Sequence, residues 1–76
     1  MYELYVSETC PYSIKVMEYF KKNNIPFKKK LIEDYTNLEK LMNLGGMQQV
    51  PFLNDTETGI KMYESDDIIE YAGKNK

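Results

Sequence analysis

Apolar and polar positions along the 76-residue chain change period several times, and each change predicts an element. Tyr2-Glu3-Leu4-Tyr5-Val6 is rich in aromatic and β-branched types and predicts a strand. Between residues 12 and 24, Val16, Met17 and Phe20 fall on one helical stripe. Asn23-Asn24 and then Pro26 end that helix. Residues 26–32 predict a second strand, whose Lys28, Lys29 and Lys30 suit an exposed sheet edge, where charge discourages pairing with other chains. Thr36 and Glu39 form a capping box ahead of an apolar face of Leu38, Leu41 and Met42, and Gly45-Gly46 supply the stop. Residues 50–54 and 59–63 predict two strands joined by the polar turn Asp55-Thr56-Glu57-Thr58-Gly59. Ser65 as N-cap, Asp66 and Asp67 in the first turn, and Gly73 as the stop predict a last helix.

The resulting order is β-α-β-α-β-β-α. The opening strand–helix–strand implies a right-handed parallel crossover, and the close pair near the end implies an antiparallel hairpin. A single α/β domain over residues 1–76 follows, with a four-stranded mixed sheet flanked by three helices on both faces.

Composition narrows the function. Ten lysines, no arginine and twelve acids give a net charge of −2, which offers no reason to expect nucleic acid as a partner. No apolar run approaches the ~20 residues of a membrane span, and Met1-Tyr2-Glu3-Leu4-Tyr5-Val6 lacks the regions of a signal peptide. A lone cysteine builds no disulfide framework, so a reducing cytoplasm is the expected home and a monomer the expected state. Histidine is absent, which excludes Cys–His and Ser–His nucleophile pairs and leaves no expected metal site.

The remaining chemistry centres on Cys10. A lone cysteine in a small domain is ordinarily an inert core residue. Cys10, however, falls in the turn after the first strand and at the start of the first helix, where unpaired N–H groups and the helix dipole stabilise an anion. A thiolate there has a lowered pKa. Pro11 at the first helical position loses no hydrogen bond. Val50-Pro51 precedes the third strand and is either a simple strand start or a cis bond that frees the Val50 backbone to pair with an extended peptide. Ser65-Asp66-Asp67 caps a helix whose first N–H groups can hold a carboxylate, while the Asp67 side chain can hold an ammonium.

Cys10-Pro11-Tyr12-Ser13, Val50-Pro51 and Ser65-Asp66-Asp67, in that order and spacing, resemble the glutaredoxins over essentially the whole chain. The resemblance implies a thioredoxin fold, with glutathione as ligand and co-substrate. It implies Cys10 as the nucleophile in exchange with glutathionylated proteins or small disulfides. It also implies that Pro11, Tyr12 and Gln49 flank the ligand, that Val50 pairs with its cysteinyl backbone beside a cis Pro51, that the Ser65 and Asp66 amides hold its γ-glutamyl carboxylate, and that Asp67 holds its ammonium. Relatives often carry a lysine at the place of Ser7, a basic residue near Met47-Gln48-Gln49, and a glycine pair where Tyr63-Glu64 stands, so that Glu64 adds negative charge beside a site for an anionic peptide and is expected to weaken binding. Losing a charge-assisted hydrogen bond costs ~1.5–3 kcal/mol, so glutathione affinity about tenfold or more below a lysine-bearing relative is expected.

Ser13 stands at the resolving-cysteine position, whether natural or a replacement, and some relatives use selenocysteine where Cys10 stands. A hydroxyl cannot attack sulfur, so a one-cysteine cycle is left. Two other readings of a working Cys10 stand beside it, and a further one makes the chain a thioredoxin-fold binding domain with a spectator cysteine. One is an iron–sulfur carrier ligated by glutathione, against which the stiff, bulky Pro11-Tyr12 pair weighs. The other is a thioredoxin-like electron carrier that does not rely on glutathione.

Overall fold

A computed structural model describes residues 1–75. Seven elements occur in the expected order: β1 (Tyr2–Val6), α1 (Pro11–Lys22), β2 (Phe27–Leu31), α2 (Tyr35–Gly45), β3 (Phe52–Asp55), β4 (Lys61–Met62) and α3 (Ser65–Lys74). The sheet order is β2-β1-β3-β4. β1 runs parallel to β2, in register from Tyr2–Phe27 to Val6–Leu31, and antiparallel to β3, which in turn is antiparallel to β4. This is the thioredoxin-like α/β architecture. The lysine-bearing β2 is an edge strand, with Lys28 and Lys29 exposed.

Strand alternation sorts the core into two layers. Successive side chains of a strand point to opposite faces. Leu4, Val6 and Leu53 face α1 and α3, where they pack with Val16, Met17, Phe20, Ile25, Ile68 and Ala72. Tyr5 and Phe52 face the other way, against Leu41 of α2, with Leu38, Leu44, Val50 and Tyr63 partly buried around them. Val16, Met17 and Phe20 are therefore the buried stripe that helical spacing predicts.

The structure departs from the sequence expectations at several element ends and at one side chain. α1 stops at Lys22, because Asn24 takes a positive φ of 56° and turns the chain into β2. α2 is capped by Asp34, whose carboxylate accepts from the Thr36 N–H at 3.0 Å, and not by a Thr36–Glu39 box. Aspartate two residues upstream reaches the free N–H first, and Thr36 lies inside the helix. Met42 is half-exposed, since the second core layer is narrow and Leu41 and Leu44 fill it. β4 contains only Lys61 and Met62, because Tyr63 leaves the ladder to bond the Met47 backbone.

The last difference concerns α3. Its N-cap is Glu64, with Ser65 as the first helical residue, and the helix runs past Gly73 to Lys74. Gly73 is a packing residue: a Cβ there would come within 2.6 Å of the Tyr19 hydroxyl, so the missing side chain lets α1 and α3 approach. Gly46, at φ 82°, provides the left-handed C-cap of α2.

Replacing Asp34 with alanine should lower stability by about 1 kcal/mol, the usual loss for an N-cap. Thr36→Ala and Glu39→Ala should each cost less than half of that in urea unfolding. Equal losses for Asp34 and Thr36 would argue for the box instead.

Candidate active site

The C-terminal ends of the parallel strands β1 and β2 carry the reactive groups, as open α/β sheets commonly do. β1 ends at the buried Val6, and the loop Ser7–Cys10 turns directly into α1. Cys10 is the helix N-cap, in extended backbone (φ −91°, ψ 118°), and is partly exposed. Pro11 occupies the first turn, so the Tyr12 and Ser13 N–H groups are the first donors available.

Two opposed effects act on the Cys10 thiol. Burial pushes its pKa up. The Ser13 N–H, the Ser13 hydroxyl and the Tyr12 N–H favour the thiolate and bring the net pKa below that of an ordinary thiol. The neutral thiol completes no cap hydrogen bond, so these donors gain most when sulfur is charged.

Ser13 is fully buried, and its oxygen accepts from the Ser7 N–H at 3.2 Å. With a lone pair committed to Ser7, the hydroxyl hydrogen is free to point at the Cys10 sulfur. A bond from this hydroxyl to sulfur is one of the effects that lower the Cys10 pKa.

Ser7 organises the same loop. Its hydroxyl donates to Glu33 Oε2 at 2.6 Å, accepts from the Thr9 N–H at 3.3 Å and pairs with Thr9 Oγ1 at 3.0 Å, while its carbonyl accepts from the Cys10 N–H at 3.3 Å. Ser7 is buried, which explains why this position serves the loop and does not reach outward toward a ligand. Nothing in residue spacing flagged Glu33, which arrives from the β2–α2 connection only through the parallel pairing of β1 with β2.

A groove of about 470 Å³ opens beside this helix start. Tyr12, Gln49, Val50, Pro51, Tyr63, Glu64, Ser65 and Asp66 line it. The structure therefore assembles Tyr12, Gln49, Val50, Pro51, Ser65 and Asp66 from three distant parts of the chain, while Cys10 and Pro11, just before Tyr12 in the chain, are not among the lining residues. Tyr12 is 63% exposed and forms one wall. The Val50–Pro51 bond is cis. Outside the sheet ladder, no hydrogen bond engages the Val50 N–H or C=O among the described residues. The opening N–H groups of α3, at Ser65 and Asp66, are left over from the helix ladder. Asp67 does not join the groove. It lines a separate depression with Met62, Glu70, Tyr71 and Lys74.

One of the acids at the groove rim is paired and one is not. Lys15 Nζ meets Asp66 Oδ1 at 2.9 Å, an exposed bridge between α1 and α3 that offsets one acid at the rim. The Glu64 carboxylate, by contrast, has no partner among the described residues, although it lines the groove. Strand alternation held a usable signal for its neighbour. Met62 faces the α1–α3 layer, so Tyr63 must lie on the Phe52 side.

Residues 4–76 match the family described as "Glutathione S-transferase, N-terminal domain". Comparison with curated protein sequences returns no match. Among solved structures, human glutathione S-transferase T1-1 in its apo form superposes with a TM-score of 0.82 at 24% identity, covering 99% of this chain and 32% of that one. Glutathione S-transferase unclassified 2 from Bombyx mori gives 0.82 at 20% identity, over 96% of this chain and 34% of that one. Glutaredoxin 2 from Salmonella typhimurium, solved in complex with glutathione, gives 0.77 at 26% identity, over 93% and 32%. The chain thus spans about a third of the length of these proteins.

Alkylation of Cys10 by iodoacetamide should follow a titration whose midpoint lies below that of an ordinary thiol. Ser13→Ala removes one donor to the thiolate, so its midpoint should move up and its alkylation rate near neutrality should fall. A midpoint unmoved by Ser13→Ala would remove that hydroxyl from the account. The sign for stability follows. A depressed thiol pKa adds stability that is fully present above the unfolded-state value of ~8.5 and is lost as pH falls through the folded-state value.

Proposed function

The chain belongs to the glutathione S-transferase N-terminal domain family, and from that premise we propose that it is a glutathione-binding domain whose Cys10 exchanges glutathione with disulfides by a one-cysteine, glutaredoxin-type cycle. The observation that carries this reading is the Cys10 thiol. Its pKa is lowered at the start of α1, and it stands beside a groove with an unpaired backbone edge and an open helix N-terminus.

The ligand's groups find complements there. Its γ-glutamyl carboxylate would meet the Ser65 and Asp66 N–H groups and the dipole of α3. Its cysteinyl backbone would pair with Val50, and Tyr12 would cover one side. Its ammonium would sit against Glu64, because Asp67 lies outside the groove and Asp66 is bridged to Lys15. On this reading Glu64 aids binding, contrary to the expectation that its charge would weaken it. The glycine carboxylate gains only neutral partners from Gln48 and Gln49, so affinity below that of relatives with a basic residue there remains the expectation.

The steps balance without an outside oxidant. The Cys10 thiolate attacks the glutathione sulfur of a glutathionylated substrate. A Cys10–glutathione disulfide forms as the substrate's S–S bond breaks, and the substrate leaves as a thiolate that takes a proton. A second glutathione, as thiolate, then attacks the bound glutathione sulfur. This releases glutathione disulfide and returns the Cys10 thiolate. Ser13 cannot intercept the intermediate, because its hydroxyl does not reduce sulfur.

The test is a glutathione-dependent exchange assay with a small glutathione mixed disulfide. Wild-type protein should turn over and Cys10→Ser should not. Activity surviving Cys10→Ser, or conjugation of glutathione to an electrophile with no exchange at all, would refute the cycle. Glu64→Gln should raise the calorimetric Kd for glutathione about tenfold, the usual worth of a hydrogen bond to a charged group. An unchanged Kd would exclude Glu64 from the ammonium site.

A further inference from the structure

The segment Met47–Pro51 forms one wall of the groove, yet it has little of its own to hold it. It follows the left-handed Gly46 and precedes β3. Among the described residues, and outside the sheet ladder, its only hydrogen bonds are two to the Tyr63 hydroxyl. That oxygen accepts from the Met47 N–H at 3.0 Å, and its own hydrogen goes to the Met47 carbonyl at 2.9 Å. One phenol therefore saturates both polar groups of one peptide residue.

The ring that carries this hydroxyl is itself fixed. It packs on Phe52 with centroids 4.6 Å apart, and Phe52 is a buried member of the layer under α2. The end of α2 leaves room for it, because Gly45 has no side chain and any Cβ there would overlap the Tyr63 hydroxyl. Tyr63 adjoins Glu64, the N-cap of α3, so the clamp joins the Gln49–Pro51 wall to the Glu64–Asp66 wall.

We propose that Tyr63 is a positioning residue for ligand capture, holding the Met47–Pro51 wall at the spacing from the α3 start that lets one extended γ-glutamyl peptide touch both. This rests on the glutathione reading above and adds to it a residue that does no chemistry. Gly45 is its necessary companion. A preorganised wall spares the ligand the cost of ordering the loop, so losing the clamp weakens binding without altering the thiol.

Tyr63→Phe keeps the ring and removes both bonds. It should raise the KM for glutathione in the exchange assay roughly tenfold, as expected for two ordinary hydrogen bonds, and raise the calorimetric Kd in parallel. The value of kcat and the alkylation midpoint of Cys10 should stay within about twofold of wild type, and amide exchange at Met47 should accelerate. Gly45→Ala should reproduce the KM effect by displacing the phenol. Alanine is the better helix former, so a weakened α2 would not explain that result. Unchanged KM and Kd in Tyr63→Phe, or a fall in kcat with KM unchanged, would overturn the clamp while leaving the Cys10 cycle standing. Wild-type protein that neither binds glutathione nor turns over would overturn both.

Discussion

β1 is enclosed on both faces and both edges, and the position of the reactive groups depends on that enclosure. Leu4, Tyr5 and Val6 are fully buried, with Leu4 and Val6 under α1 and α3 and Tyr5 under α2. Burying a side chain of this size is worth ~1.5–3 kcal/mol, so the end of the strand has little freedom to move. The chain leaves that end at Ser7 and has three residues before α1 begins at Pro11. Cys10 is placed by the strand behind it and the helix ahead of it.

The same enclosure lets backbone groups do the work that histidine does elsewhere. The Ser7 N–H, at the end of β1, is bonded to the Ser13 oxygen, and Ser13 is the third residue of α1. This one bond ties strand to helix and leaves the Ser13 hydrogen free for another acceptor. Glu33 reaches the same loop through Ser7, because β2 runs parallel to β1 and delivers its own C-terminal connection to the same pole. Ser7 thus links Ser13 and Glu33 in one connected set, of which Ser13 is the member that acts on the Cys10 thiol.

The opposite wall is built by a different means. Helix α2 is thin in apolar contacts: Leu41 is buried, Leu38 and Leu44 only partly so. Its Gly46 cap bonds back to the Met42 carbonyl, and the segment that follows depends on Tyr63 for its polar contacts. One side of the groove is thus set by the sheet and the first helix, and the other by a single aromatic residue from the far end of the hairpin.

Local rules were enough to read the order of the seven elements, the buried stripe of α1, the edge character of β2 and the location of Cys10 at a helix start. Each rests on periodicity, turn residues or end effects that act within a few positions. The resemblance carried by Cys10-Pro11-Tyr12-Ser13, Val50-Pro51 and Ser65-Asp66-Asp67 reached the thioredoxin-like fold, and the family matched is the glutathione S-transferase N-terminal domain. Caps were read less well: at α2 two side-chain oxygens could serve the same N–H group and geometry favours Asp34, and at α3 the helix simply begins one residue earlier, after Glu64, with no side-chain cap bond. Gly73 looked like a stop because the approach of Tyr19 cannot be seen along the chain. The sequence by itself determined that a thiol sits where a helix stabilises charge. Only the tertiary structure decided that Ser7 turns inward to Glu33, that Glu64 and not Asp67 lines the groove, and that Tyr63 holds Met47, since each depends on which strand end or helix face meets another.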